Sequence, residues 1–195
     1  MNLRTAFKLG AIPAALAGVL AYLVGYAITY AVVARDLEAR LGPAEMLLQL
    51  VSGEPVGTWR VVGWIFHALH GVETRLVFGS GGVEAGLTVD PATAAPDVLF
   101  MIPVLTLLFA GFLSANFTGV DGPRAGIVVG TTVTVGYLLA VVVGLFVFSY
   151  EGSRPVEGTA VAIAGIGYPL VLGAIGGALE SVSRTFEPRG TRQRE

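Results

Sequence analysis

The chain has 195 residues, of which 54 % are hydrophobic and 13 % charged, with a net charge of −2 and a mean hydropathy of +0.74. A soluble domain carries about 25 % charged residues, so this composition excludes an ordinary water-soluble globule, and its apolar content excludes a disordered chain. Cysteine is absent, which removes disulfides, thiolate ligands and thiol nucleophiles from consideration.

Four charge-free runs follow in chain order: Leu9–Ala34, Val98–Val120, Ala125–Tyr150 and Gly158–Leu179. Each exceeds the roughly 20 residues that cross about 30 Å of hydrocarbon as a helix. In lipid every backbone N–H must bond within its own segment, and these runs lack the alternation of barrel strands. The expected fold is therefore an all-α integral membrane protein, one domain over 1–195. Its four transmembrane helices, near 9–34, 98–120, 125–150 and 158–179, form a bundle. Arg4 and Lys8 precede the first run, but no cleavage signature follows it before Arg35, so it reads as a retained helix.

Charge sets the expected orientation. Eleven of the twelve basic residues are Arg. A cytoplasmic N-terminus puts Arg4, Lys8, Arg124, Arg184, Arg189, Arg192 and Arg194 inside, in accord with the positive-inside rule. It puts most acids outside, including Asp36, Glu38, Glu45, Glu54, Glu73, Glu84, Asp90 and Asp97. Both termini are then cytoplasmic, the membrane is the cell membrane, and the Arg-rich tail 184–195 lies against anionic headgroups. Arg preference with acidic outer segments suits a salt-rich habitat, where the Debye length falls to roughly 3 Å at 1 M.

The connection 35–97 is long enough to expect structure or function of its own. It reads as a partly structured extracellular cap. Gly42–Pro43–Ala44–Glu45 resembles a helix start, giving a short interfacial helix near 43–52. A second short apolar element near 59–71 is too short to span and suits an interfacial or re-entrant position. Thr74–Phe78 and Ala85–Val89 are expected to pair as a hairpin around Gly79–Gly82. Tight turns at Asp121–Gly122–Pro123 and Glu151–Pro155 join the later helices.

Several residues merit weighing as sites. His67, His70 and Glu73 are spaced i, i+3, i+6. The chain has no other histidine, and two imidazoles with one drifting carboxylate match a metal site poorly. A pH-responsive or interfacial role is the expectation, with no metal. No acid or base falls in the middle of a spanning run, which argues against a charge-coupled pump. Glu180, at the inner end of the fourth run, is expected to reach water. The deepest polar groups are Asn116, Ser114, Thr106, Thr131, Thr132 and Thr134. Gly126 and Gly130 in the third run, and Gly173 and Gly177 in the fourth, have the small-xxx-small spacing that lets helices approach closely. This serves packing within the bundle or oligomerisation. Pro13, Pro103 and Pro169 are potential kinks.

The block Trp59–Arg60–Val61–Val62–Gly63–Trp64–Ile65–Phe66–His67–Ala68–Leu69–His70 gives W-x-x-x-G-W-x-F-x-x-x-H. Placed between a first helix and three closely spaced later ones, it resembles a family of small, uncharacterised haloarchaeal multi-pass membrane proteins, sometimes loosely described as transporters. That resemblance implies origin and topology and no activity.

No nucleophile elbow, zincin motif or phosphate loop is present, so no enzymatic activity, catalytic residue or cofactor is expected. The expected partners are the lipid bilayer and a second copy or another membrane protein, not nucleic acid. The expected function is a non-enzymatic transport or channel-like component, with a structural or accessory subunit of a membrane complex as the alternative.

Overall fold

The computed structural model describes residues 3–52, 56–78, 85–89, 95–120, 122–150, 153–155 and 158–184, with side chains at 11–37, 56–75, 89, 95–120, 122–150 and 158–184. The protein is mostly helical, and among the described residues four stretches are long and apolar enough to cross a membrane: Ala11–Leu37, Asp97–Thr118, Pro123–Val147 and Gly158–Ser183. Each carries a continuous row of exposed large apolar side chains. On the first these are Ile12, Leu16, Leu20 and Leu23; on the third, Val135, Leu139, Val142 and Phe146. Apolar side chains on both the inner and the outer face are what a helix in hydrocarbon needs.

The first helix, α1 (Leu3–Ser52), runs 50 residues without interruption. An end at Ala34 and a separate helix at 43–52 were expected; the second segment is helical, as a continuation of the first. Asp36 to Leu41 contains no helix breaker, and Asp36 and Arg40 stand i, i+4, an arrangement that supports a helix leaving an apolar environment. Pro43 removes one backbone bond without ending it.

The second helix, α2 (Thr58–Ala68), ends in a motif that the sequence specifies. Gly71 has φ +79°, Gly71 N–H bonds Ala68 O at 2.8 Å, and Val72 N–H bonds His67 O at 3.1 Å. This is the paired closure of a helix C-terminus that requires a left-handed residue, and glycine adopts it freely. The chain then turns into β1 (Thr74–Phe78), which pairs antiparallel with β2 (Ala85–Val89), Thr74 opposite Val89. The expected turn at Gly79–Gly82 lies outside the described residues. A third strand, β3 (Ser153–Pro155), adds to the other edge of β1, giving the order β2-β1-β3. Three residues are too few for a recognisable alternating pattern, so the sequence reads β3 as a plain connection. It ties the 35–97 segment to the link between the third and fourth spans.

The second span opens with a 3-10 turn (Asp97–Phe100) and continues as α3 (Met101–Thr118). The third span, expected as one helix, is two: α4 (Pro123–Thr131) and α5 (Val133–Val147). At the joint Thr132 N–H bonds Val129 O and Val135 N–H bonds Thr132 O. The Thr131 and Thr132 hydroxyls donate to Val128 O and Val129 O at 2.8 and 2.5 Å. Hydroxyls that bond back to the preceding turn tighten and bend a helix. The fourth span is α6 (Gly158–Ala162), a π-helical turn (Ile163–Gly167) and α7 (Tyr168–Ser183). Tyr168 N–H reaches back to Ile163 O, and the wider turn accommodates Pro169, whose ring cannot fit a regular helix interior.

The spans pack with α7 against α3 and α4, and α1 against α3 and α5. The third and fourth spans meet through glycine. A side chain on Gly126 would strike Gly177 O, one on Gly130 would strike Gly173 O, and the reverse holds for Gly173 and Gly177. The four glycines thus face one another inside a single chain, and backbone-to-backbone approach supplies the dispersion that apolar burial does not supply in lipid. Gly18 against Val133 and Gly136 against Ala15 do the same for α1 and α5.

Candidate functional site

Helix α2 is the element that brings chemistry into the bundle. Its entry end sits at the sheet end of the protein. Tyr26 O–H donates to Trp59 O at 3.0 Å, and the Arg60 guanidinium lies 4.7 Å from the Trp59 ring centroid and 5.5 Å from that of Tyr150. One turn further on, Trp64 Nε1–H donates to Phe148 O at 2.9 Å. Gly63 lets the Phe148 ring lie directly on the α2 backbone, because any Cβ there would collide with it. Residues Val62 to His70 are all buried. An 11-residue helix is thus buried within the protein through its last two turns.

Its far end carries the two histidines. His67 is 2 % exposed and His70 1 %. His67 Nε2 shares a hydrogen bond of 2.8 Å with the Tyr22 hydroxyl of α1. His70 Nδ1–H donates to Phe66 O at 2.7 Å. That bond fixes the tautomer, since a carbonyl only accepts. The neutral ring therefore accepts at Nε2, and the hydroxyl of Tyr137 on α5 donates to it. Aromatic rings close the cage. Phe66 stands edge-on to Tyr22 at 5.1 Å and to His70 at 4.8 Å. Phe148 is 5.7 Å from His67, and Tyr168 of α7 is 6.0 Å from His70. Gly144 makes room for the Tyr22 hydroxyl and for His67 Nε2.

The depth follows from the partners. Tyr22, Tyr137 and Tyr168 each lie ten or more residues from both ends of the stretches Ala11–Leu37, Pro123–Val147 and Gly158–Ser183. At ~1.5 Å per residue that places the backbones carrying these tyrosines about 15 Å or more from either end, while His67 lies beside Gly144, nearer the Val147 end of the third stretch. No acid or base falls in the middle of a spanning run, but α2 brings two imidazoles among the spans from outside them. Both imidazoles are enclosed by aromatic rings with almost no exposed surface. An uncharged imidazole is the form that an apolar cage tolerates. Glu73, three residues past His70, is half-buried. Among the described residues no three His or carboxylate groups converge as metal ligands.

The other polar residues singled out by sequence lie elsewhere. Ser114 and Thr106 donate to Ala110 O and Ile102 O of their own helix, the usual way a hydroxyl is satisfied in an apolar setting. The Thr134 hydroxyl is buried without a partner. Glu180, expected to reach water, is only 2 % exposed. Arg184, one turn on, donates Nε–H to Glu180 Oε1 and Nη2–H to Asn116 O at 2.7 Å and to Asn116 Oδ1 at 3.1 Å. Glu180 thereby aims a cation at the C-terminal carbonyls of α3, where the helix dipole favours positive charge. The Arg184-to-Glu195 tail lies outside the described residues beyond Arg184 itself.

Sequence reasoning missed Tyr22, Tyr137 and Tyr168. A tyrosine inside an apolar run reads as bulk, and its partner is known only once α2 is placed. The available signal was the pairing of two lone histidines with tyrosines at mid-run, since a buried phenol hydroxyl requires a partner.

No curated protein and no solved structure matches the chain. Residues 6–184 match a group of sequences described as "Family of unknown function (DUF7978)". That match takes in all four apolar stretches and α2; this chain's four apolar helices fit a small multi-pass membrane protein, and by the match the chain belongs to the DUF7978 family of unknown function.

Proposed function

We propose that the protein works in the cell membrane as a non-enzymatic transport or channel-like component, with both termini cytoplasmic and α2 entering from outside as a re-entrant plug. The observation that carries this reading is the termination of α2 inside the bundle on hydrogen-bonded histidines. Non-helical backbone and ionisable groups at membrane depth are costly and are tolerated where they serve a pathway. Transporters place their sites at such discontinuous helices, and the third and fourth spans of this chain are also interrupted, at Thr132 and at 163–167. Acid-rich connections and near-exclusive use of Arg support a halophilic source.

The test is permeability. Purified protein in proteoliposomes is expected to raise the flux of at least one of K⁺, Cl⁻, H⁺, urea or glycerol above that of protein-free vesicles. Phe66→Ala, which empties the space of a fully buried ring at the tip of α2, is expected to raise it further. If neither the native chain nor Phe66→Ala increases any of these fluxes, the transport reading fails. The accessory-subunit reading then gains, with a co-purifying membrane protein as its mark.

A further inference from the structure

We infer that the paired bonds His67–Tyr22 and His70–Tyr137 form a proton-operated latch, which holds α2 in the bundle while both imidazoles are neutral and releases it when they are protonated. This rests on the plug reading for its purpose, and on the geometry alone for its operation.

The His70–Tyr137 bond has a polarity that one proton reverses. In the neutral state His70 has committed Nδ1–H to Phe66 O, and Nε2 accepts the Tyr137 O–H. Protonation puts a hydrogen on Nε2, so Tyr137 Oη must become the acceptor and its own hydrogen must turn elsewhere. Tyr137 is fully buried, packed beside Tyr22 at 5.6 Å. At His67 protonation makes both ring nitrogens donors, so the Tyr22 hydroxyl, pressed against Gly144, must accept from Nε2. The titratable groups facing the pair are Tyr22 of α1, Tyr137 of α5, Tyr168 of α7 and each histidine for the other. All of these are neutral or become like-charged. From α3, Thr106 abuts the same region without a titratable group. Arg60 sits at the other end of α2 against Trp59 and Tyr150, and Glu73 follows the helix end half-buried. Two imidazolium ions in this cage repel each other and find no counter-charge among the groups named.

The sign is fixed. A base whose docked affinity for protons is lowered gives docking its full strength above the ordinary pKa near 6.5 and loses it as pH falls below that value. For a histidine kept neutral when docked, the undocked state gains roughly thirty-fold at pH 5. Two such residues together give about a thousand-fold.

Both tryptophans of the chain, Trp59 and Trp64, lie on α2, so indole emission reports its position directly. In proteoliposomes of the full chain carrying Trp59→Phe, Trp64 emission is expected to shift red and iodide quenching to rise several-fold between pH 8 and pH 5. In the same background, His67→Gln with His70→Gln should abolish the pH response. No change in the native histidine pair between pH 8 and pH 5, or an equal change in the double Gln variant, overturns the latch. Should the double variant not fold, hydrogen exchange of segment 58–72 in the native chain decides: faster exchange at pH 5, after correction for intrinsic rate, supports the latch, and unchanged protection overturns it. Because these readouts need no flux, a failed latch and a failed transport function give different results.

Discussion

Tyr137→Phe isolates the deeper of the two histidine bonds. The substitution removes one oxygen and leaves the ring in its fully buried site. His70 Nε2 then keeps its burial and loses its donor, while Nδ1–H stays bonded to Phe66 O. An unsatisfied buried acceptor costs about 1–3 kcal/mol, roughly a 5- to 150-fold shift in the docking equilibrium. The assay is a urea titration in a fixed detergent micelle followed by tryptophan emission, which reports α2. His70→Leu should be destabilising for the mirror-image reason, since it orphans the Tyr137 hydroxyl and the Phe66 carbonyl. The double variant removes both partners and should be more stable than the sum of the singles predicts, by about 1 kcal/mol or more. Additivity within about 0.5 kcal/mol would show that the two groups do not interact and would refute the assignment of tautomer and partner.

Other consequences are open to measurement. Gly144→Ala places a methyl on the Tyr22 hydroxyl and His67, and should cost about 1–3 kcal/mol of overpacking, read by the same titration, with a red shift of Trp64 even at pH 8. Gly71→Ala meets no neighbour; its cost, about 1 kcal/mol, is wholly the left-handed backbone that alanine adopts poorly, so Gly71→Asn should recover much of it. Gly130→Leu drives a side chain into the backbone of Gly173 and should lower the thermal midpoint of the whole bundle, not of α2 selectively. Arg184→Met leaves Glu180 buried without its ion partner and should destabilise by about 3 kcal/mol, whereas Arg184→Met combined with Glu180→Met should recover most of that loss.

Much of the architecture was legible because lipid imposes a length and a hydrogen-bonding rule that few sequences satisfy by accident. The four stretches agree with the charge-free runs to within a few residues, and Thr74–Phe78 pairs with Ala85–Val89 as expected. What escaped was tertiary. An apolar run of a dozen residues has the same pattern whether it floats on an interface or sinks between helices; Gly63 and Gly144 decide the matter, and each matters only through a ring that comes from another element. Glu180 was misplaced for a similar reason. A carboxylate near a helix end looks wet until an arginine one turn away folds over it and both turn toward α3. The break at Thr132 was visible as a run of threonines, whose hydroxyls compete for backbone carbonyls, yet hydropathy does not register it.

The partners that hold α2 are made long after it. Tyr22 precedes His67 by 45 residues, but Tyr137 follows His70 by 67, and Phe148 follows Trp64 by 84. During synthesis α2 leaves the ribosome with half of its berth in place and the other half unbuilt. Its contacts with Tyr137, Phe148 and Tyr168 can form only once α5 and then α7 have been made. A chain truncated before Tyr137 keeps the Tyr22 contact of His67 and lacks every partner that His70 has outside α2.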